Sequence, residues 1–310
     1  MAQTIRIGTR GSRLALWQAG AVRDALAAAH ALEPEAFEIV AIRTSGDRIQ
    51  DRALLEAGGK GLCTKEIEEA LLSGAVDLAV HSAKDMQTFL PEGLVIAGYL
   101  EREDVRDALI APGISGLHHL PQGARIGTAS LRREALVRRA RPDLEIALLR
   151  GNVPTRLRRV EAGEFAATLL AAAGLKRLDL DGHIAAYLPL EAFPPACGQG
   201  AMALECRADD RRSRDLAAAV DHVPTALAVT TERAFLAALD GSCRTPIAGY
   251  ATISGSVVDF RGIILALDGN EYFETALTGD ASDAVEIGRA AGREILSRAP
   301  ATFLQGLGLA

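Results

Sequence analysis

Over the first hundred residues, short apolar runs alternate with stretches whose apolar positions recur at helical spacing. Residues 4–8 are β-prone, and Ser12 stands where a side-chain oxygen can cap a helix by accepting from its exposed amides. Leu14, Gln18, Ala21, Val22, Ala25 and Ala29 then mark one mostly apolar helical face. Residues 37–42 read as a second strand. The run Gly58-Gly59-Lys60-Gly61 leads into a helix predicted over about 64–72, and 77–81 is a short apolar strand that ends in polar residues. This βαβα alternation predicts an α/β domain with a largely parallel sheet. Such sheets bind ligands beyond the carboxyl ends of their strands, where His81, Ser82, Lys84 and Asp85 fall.

The charged segment 101–107 reads as a crossing out of this domain. A second alternation follows: strand 125–127, helix 130–140, strand 145–148, helix 154–161 and apolar strand 167–171. Residues 193–200 are rich in helix and strand breakers and read as a second crossing. Two crossings between two α/β lobes predict a hinge with a cleft between them. From about 223 the pattern changes. Leu227, Ala234, Phe235 and Ala238 share a helical face that Gly241 can end; strand-like runs at 247–253, 257–265 and 272–277 and a helix over 282–297 complete a small α+β unit. The expected domains are 1–100 with 201–220, then 101–200, then 221–310.

Composition narrows the function. A hydrophobic fraction of 49% and a charged fraction of 24% over 310 residues are those of a globular protein. With 34 basic and 40 acidic residues the net charge is −6, which counts against a generic nucleic-acid binder, and 4% aromatics against a base-stacking platform. The chain has no apolar run of membrane-spanning length and no secretory pattern at its start, so a soluble, cytoplasmic protein is expected. Cys63, Cys197, Cys206 and Cys243 are widely spread, form no CxxC pair, and lack the histidines of a zinc site; no metal is expected. Residues 125–159 hold ten arginines, no lysine and three acids, a local charge of +7 that leaves the rest at −13. The guanidinium fork suits bidentate carboxylate or phosphate binding. Arg132, Arg133, Arg150 and Arg156 stand near strand-to-helix turns and are candidates to converge on one anion site.

Several strings match a known family. They are Arg6-Ile7-Gly8-Thr9-Arg10-Gly11-Ser12, Leu14-Ala15-Leu16-Trp17-Gln18, Thr44-Ser45-Gly46-Asp47, Gly58-Gly59-Lys60-Gly61-Leu62 and Val80-His81-Ser82-Ala83-Lys84-Asp85. Glu101-Arg102-Glu103-Asp104, Gly127-Thr128-Ala129-Ser130-Leu131-Arg132-Arg133 and Leu149-Arg150-Gly151-Asn152-Val153-Pro154-Thr155-Arg156 continue the series. It closes with Ala173-Gly174-Leu175-Lys176-Arg177-Leu178, Gly198-Gln199-Gly200-Ala201 and Gly241-Ser242-Cys243-Arg244-Thr245-Pro246. In order and together, these resemble the porphobilinogen deaminase (hydroxymethylbilane synthase) family, as far as about Pro246.

The resemblance implies two periplasmic-binding-protein-like α/β domains with a hinge, a small α+β C-terminal domain, and a monomeric transferase of porphyrin and haem biosynthesis. It implies that four porphobilinogen molecules are joined head to tail with loss of ammonia, on a dipyrromethane cofactor held by thioether to Cys243, before hydrolysis releases 1-hydroxymethylbilane. Asp85 matches the catalytic carboxylate: loss of ammonia leaves a delocalised pyrrole cation (an azafulvenium), which a fixed carboxylate beside the pyrrole N–H stabilises. Arg10, Ser12, Ser82, Lys84, Thr128, Ser130, Arg132, Arg133, Arg150, Asn152, Arg156, Arg177 and Gln199 match positions that bind cofactor and substrate. Lys60 falls in a mobile, lid-like loop. The anionic load is large, about twelve carboxylates for cofactor plus four additions, which accounts for the arginines.

The chain departs from the family pattern at Arg13, where Pro is common, at Glu56, where Lys is frequent, and at Cys63, Met86-Gln87 and Cys197. The rival reading is a two-lobed binding protein for a small dicarboxylate. It explains an anion site but gives Cys243 no task.

Overall fold

A computed structural model describes residues 4–45, 64–242 and 245–309. Lys60, Glu56, Cys63 and Cys243 lie outside the described residues.

The first lobe is built on β1 (Ile5–Arg10), β2 (Phe37–Ile42), β3 (Leu78–Ser82) and β4 (Leu94–Tyr99). The second is built on β5 (Asp107–Ile110), β6 (Arg125–Thr128), β7 (Glu145–Leu148), β8 (Ala167–Ala171) and β9 (Ala186–Tyr187), after which β10 (Met202–Arg207) returns to the first. The two five-stranded sheets run β2-β1-β3-β10-β4 and β7-β6-β8-β5-β9. They share one topology, in which β6, β7, β8, β5 and β9 occupy the places of β1, β2, β3, β10 and β4. Neither sheet is wholly parallel. In each, one strand runs antiparallel to both neighbours, and that strand is the one the chain enters on arriving from the other lobe: β10 between β3 and β4, β5 between β8 and β9.

Helices cover both faces of these sheets, as their apolar strands require. In the first lobe α1 (Arg13–His30) starts where Ser12 Oγ accepts from the Ala15 amide at 3.2 Å, and packs Val22 and Leu26 on Ile5, Ile7 and Leu204. On the opposite face α2 (Lys65–Leu72) buries Ile67 and Leu71 against Val76 and Ala79. In the second lobe α3 (Leu131–Ala140) packs Leu136 on Ile126 and Leu169, while α4 (Val153–Glu161) and α5 (Ala172–Lys176) bury Leu157 and Leu175 with Leu149 and Leu170. A further helix, α6 (Arg211–Ala218), returns to the first lobe and buries Ala217 there.

The third unit is an antiparallel sheet of β11 (Ile247–Ser254), β12 (Val257–Leu265) and β13 (Tyr272–Asp280), covered by α7 (Val223–Ala238), α8 (Ala284–Arg298) and the short α9 (Ala301–Gly306). Glu232 on α7, fully buried, ties the three units together. Its carboxylate accepts from both terminal nitrogens of Arg102 in the first crossing (2.6 and 3.0 Å), from the Gly198 amide in the second (2.6 Å) and from the Ala251 amide of β11 (2.9 Å).

Candidate active site

The carboxyl ends of the parallel strands of both lobes face a cavity of about 860 Å³. From the first lobe, β1 delivers Arg10 to the rim, and Ser12 follows at the N-cap of α1. The end of β3 delivers Ser82, and the single 3-10 turn that follows, Ala83–Asp85, turns Lys84 and Asp85 into the cavity. Gln18 on α1, almost wholly buried, is hydrogen-bonded to Ser82 Oγ at 3.0 Å and holds the mouth of β3 in place.

The second lobe contributes Arg133 from α3, Arg150 from beyond β7, Asn152 and Arg156 from the start of α4, and Arg177 from just past α5. Asn152 caps α4 by accepting from the Thr155 amide at 3.0 Å. The preceding Gly151 has φ +120°, and a Cβ there would stand 2.8 Å from Thr155 Cγ2, so this turn requires glycine. Arg156 Nε donates to Gly151 O at 2.8 Å, so the same turn also aims its guanidinium.

Four expected residues do not line the cavity. Thr128 and Ser130 are spent on the β6–α3 turn: Thr128 Oγ1 accepts from the Ser130 amide, and Ser130 Oγ accepts from the Arg133 amide that it caps. Arg132 is buried behind the wall, donating to Pro194 O at 2.7 Å and to Asp107 Oδ2 at 2.8 Å. Gln199 is fully buried, with its amide donating to Val105 O and Asp107 Oδ1 and its carbonyl accepting from Lys84 Nζ at 3.2 Å. The expectation that Arg132 and Arg133 converge in the cavity with Arg150 and Arg156 is corrected to this extent: Arg133 reaches it and Arg132 does not.

Among the described residues, eight cationic side chains and one carboxylate, Asp85, line the cavity. The cations include Arg13 and Arg43, both exposed at its edge. Sequence reasoning did not assign either to the site; Arg43 follows β2 directly, a position the strand-end rule would have found. Crowding of like charge away from water weakens the hold of these cations on their protons. Burial, then Arg133, pushes Lys84 down to about 8 against the pull of Asp85 and Asp107. Burial, then Arg133 and Arg150, pushes Arg156 down to about 10, and burial does the same to Arg177 against Glu103. Asp107 behaves in the opposite way. Burial would raise its carboxyl, but Arg132 and Arg133 overcome this and hold it well below the usual carboxylate range. A cavity whose cations are desolvated and mutually repelled gains from each carboxylate that enters.

Two family models match the chain: "Porphobilinogen deaminase, dipyromethane cofactor binding domain" over residues 5–215, and "Porphobilinogen deaminase, C-terminal domain" over 226–297. The chain belongs to the porphobilinogen deaminase family. Family members named porphobilinogen deaminase from Nitrobacter hamburgensis and Nitrobacter winogradskyi are each 54% identical over 297 residues, spanning 96% of this chain and 94% of theirs. Among solved structures, a periplasmic substrate-binding protein of an ABC transporter from Coxiella burnetii aligns at 15% identity over 74% of this chain and 97% of its own, with a TM-score of 0.43. The dicarboxylate-receptor reading is not favoured beside the family match.

The family's cofactor, two linked pyrroles bearing carboxylates, fits the donor chemistry of this cavity. Its volume lies in the range that holds compact organic ligands, and its cationic lining is what acidic pyrroles require. Cys197 and Cys206 are buried, and burial raises both thiols, Cys206 to about 11, which leaves them as packing residues. Ser242 and Thr245 bracket the attachment position expected at 243, and Thr88 Oγ1 of the first lobe donates to Gly241 O at 2.6 Å. Gly241, just past the end of α7, is thereby tied to the lobe that carries Asp85.

Proposed function

We propose that the chain is a hydroxymethylbilane synthase, which joins four porphobilinogen molecules head to tail with loss of ammonia and releases linear 1-hydroxymethylbilane by hydrolysis. The observation that carries this reading is that Asp85, the one carboxylate among the described lining residues, is set among cationic side chains at the strand ends of two lobes in a chain of this family. When bound, through a thioether to Cys243 in our reading, the dipyrromethane supplies the pyrrole carbon to which the first substrate unit is joined.

The chain's own residues then have distinct tasks. Asp85 accepts from the pyrrole N–H of the reacting ring and stabilises positive charge as ammonia departs. It also holds the proton that moves between ring and leaving amine. Arg10, Ser12, Ser82, Lys84, Arg133, Arg150, Asn152, Arg156 and Arg177 hold acetate and propionate groups. Thr128, Ser130, Arg132 and Gln199 support those groups from behind. The two crossings serve as the hinge between domains 1–100 with 201–220 and 101–200, with 221–310 as the cofactor-bearing unit. The enzyme acts as a cytoplasmic monomer, without nucleic-acid or membrane partner; no helix among the described residues is long and apolar enough to cross a membrane.

Intact-protein mass spectrometry tests the reading. The purified chain should be heavier than its sequence by two pyrrole units, and brief exposure to porphobilinogen should add a ladder of further units. A bare thiol at Cys243 and no ladder would overturn it.

A further inference from the structure

Asp107 opens the strand by which the chain enters the second lobe, and Gln199 lies in the segment by which it leaves. Both are fully buried. Two acceptors, Val105 O at 2.7 Å and Asp107 Oδ1 at 2.9 Å, fix the NH2 end of the Gln199 amide, so its carbonyl has one orientation, toward Lys84 Nζ at 3.2 Å. The remaining valences of Asp107 go to Arg132 at 2.8 Å and to Arg133 at 2.8 and 3.2 Å, and Arg133 NH1 is also held by Leu169 O at 2.9 Å. A continuous chain of hydrogen bonds, buried beyond its first link, therefore runs from Lys84 in the first lobe through Gln199 and Asp107 to Arg133 in the second. It joins the two cationic arms that face each other across the cleft.

We propose that Gln199 and Asp107 are positioning residues that set Lys84 and Arg133 at one spacing across the cleft, acting on substrate only through those two side chains. The proposal rests on the porphobilinogen reading for its substrate and on the hydrogen-bond geometry for its residues. Nothing in it requires Gln199 to touch a ligand. Its buried amide has no spare donor to offer, because both of its N–H groups are taken by Val105 and Asp107. The charged groups that act on Lys84 are Asp85 on its own turn, Asp107 on the crossing strand and Arg133 and Arg132 on α3. Gln199 adds the acceptor that favours the ammonium form.

The decisive variant is Gln199→Met, which fills the same space, leaves the Asp107 pairs with Arg132 and Arg133 in place, and removes the link to Lys84 together with the amide's bonds to Val105 O and Asp107 Oδ1. The chain has four lysines, Lys60, Lys65, Lys84 and Lys176, so the Lys84 signal of lysine-labelled protein can be assigned with Lys84→Met and titrated by NMR. In the purified protein, Gln199→Met should lower the Lys84 midpoint by roughly one pH unit relative to wild type. It should raise KM for porphobilinogen about tenfold with a smaller change in kcat, and in a Lys84→Met background it should do nothing further. Asp107→Asn should move the Lys84 midpoint the same way; if that variant does not fold, Gln199→Met still decides. An unmoved Lys84 midpoint in Gln199→Met, or an equal KM effect with and without Lys84, overturns the proposal. Wild-type protein that ignores porphobilinogen overturns the functional reading instead and leaves the titration result standing.

Discussion

Lys84 is the side chain whose environment most constrains the chemistry. Its ammonium is held down to about 8 by burial and by Arg133, so it is charged at neutral pH at a cost that an entering carboxylate offsets. Binding of an anion favours the protonated form, so the contribution of Lys84 to kcat/KM should be complete below about pH 8 and should fall as pH rises through and beyond that value. Lys84→Arg, which does not titrate there, should flatten that alkaline limb, and a pH–rate profile of the two proteins checks it. The stability sign is opposite. A lysine lowered from about 10.4 in the unfolded chain makes the unfolded state bind more protons between pH 8 and 10, so its cost to folding is full below 8 and fades above. Asp85 is the complementary case. It is the one acid among the described residues that line the cavity, so Asp85→Asn should fold and retain its cofactor while losing turnover by about a hundredfold or more. Retained mass with lost turnover is the expected pair of measurements; near wild-type turnover would remove Asp85 from the mechanism.

At the scale of elements, close packing of α7 on α8 governs the third unit. Gly288 on α8 lies against the backbone of α7, where a Cβ would collide with Thr231 O and stand 3.0 Å from the Phe235 amide nitrogen. Neither atom can move without shifting the helix, so Gly288→Ala should destabilise by about 3 kcal/mol, read from the urea midpoint, whereas Gly306→Ala, with open space around it, should not. Helices and strands of this kind were legible wherever periodicity and local signals agreed: β2, β7, β8 and β12 fall where the apolar runs placed them, and Ser12 caps α1 as its position implied. Both crossings were read as well. What they lead into was not. The interior strands β5 and β10 each carry a buried acid, Asp107 and Glu205, β5 as four residues directly after the charged crossing and β10 with a further charge at Arg207. Their burial depends on partners distant in sequence, Arg132 and Arg133 for Asp107 and His81 for Glu205 at 3.0 Å, and no local pattern reports such pairing. The same blindness placed Arg132 in the cavity. Strand ends identify which residues gather, but only the assembled lobe reveals which of two adjacent arginines, both paired with Asp107, also lines the cavity.

The whole molecule depends on a junction that is small for what it joins. Both crossings between the lobes and the first strand of the third unit meet on the carboxylate of Glu232, which is fully buried and accepts four hydrogen bonds. Its main partner, Arg102, is nearly buried too and donates from Nε to the backbone oxygen of Gln199 at 2.9 Å, the same residue whose side chain meets Lys84. Helix α7 therefore carries the clamp on both crossings near its middle and leads, a few residues past its end, to the expected cofactor cysteine. Removing the carboxylate leaves the Arg102 charge buried without compensation, which costs about 3–5 kcal/mol, and it releases three chain segments at once. Glu232→Gln should consequently do more than lower the melting temperature. Calorimetry should show one unfolding transition for the wild type and two for Glu232→Gln, with the C-terminal unit separating from the lobes, and kcat should fall although no group in the cavity has been changed. A Glu232→Gln protein that melts in one transition at the wild-type temperature would mean that the three units are held together by their apolar contacts alone.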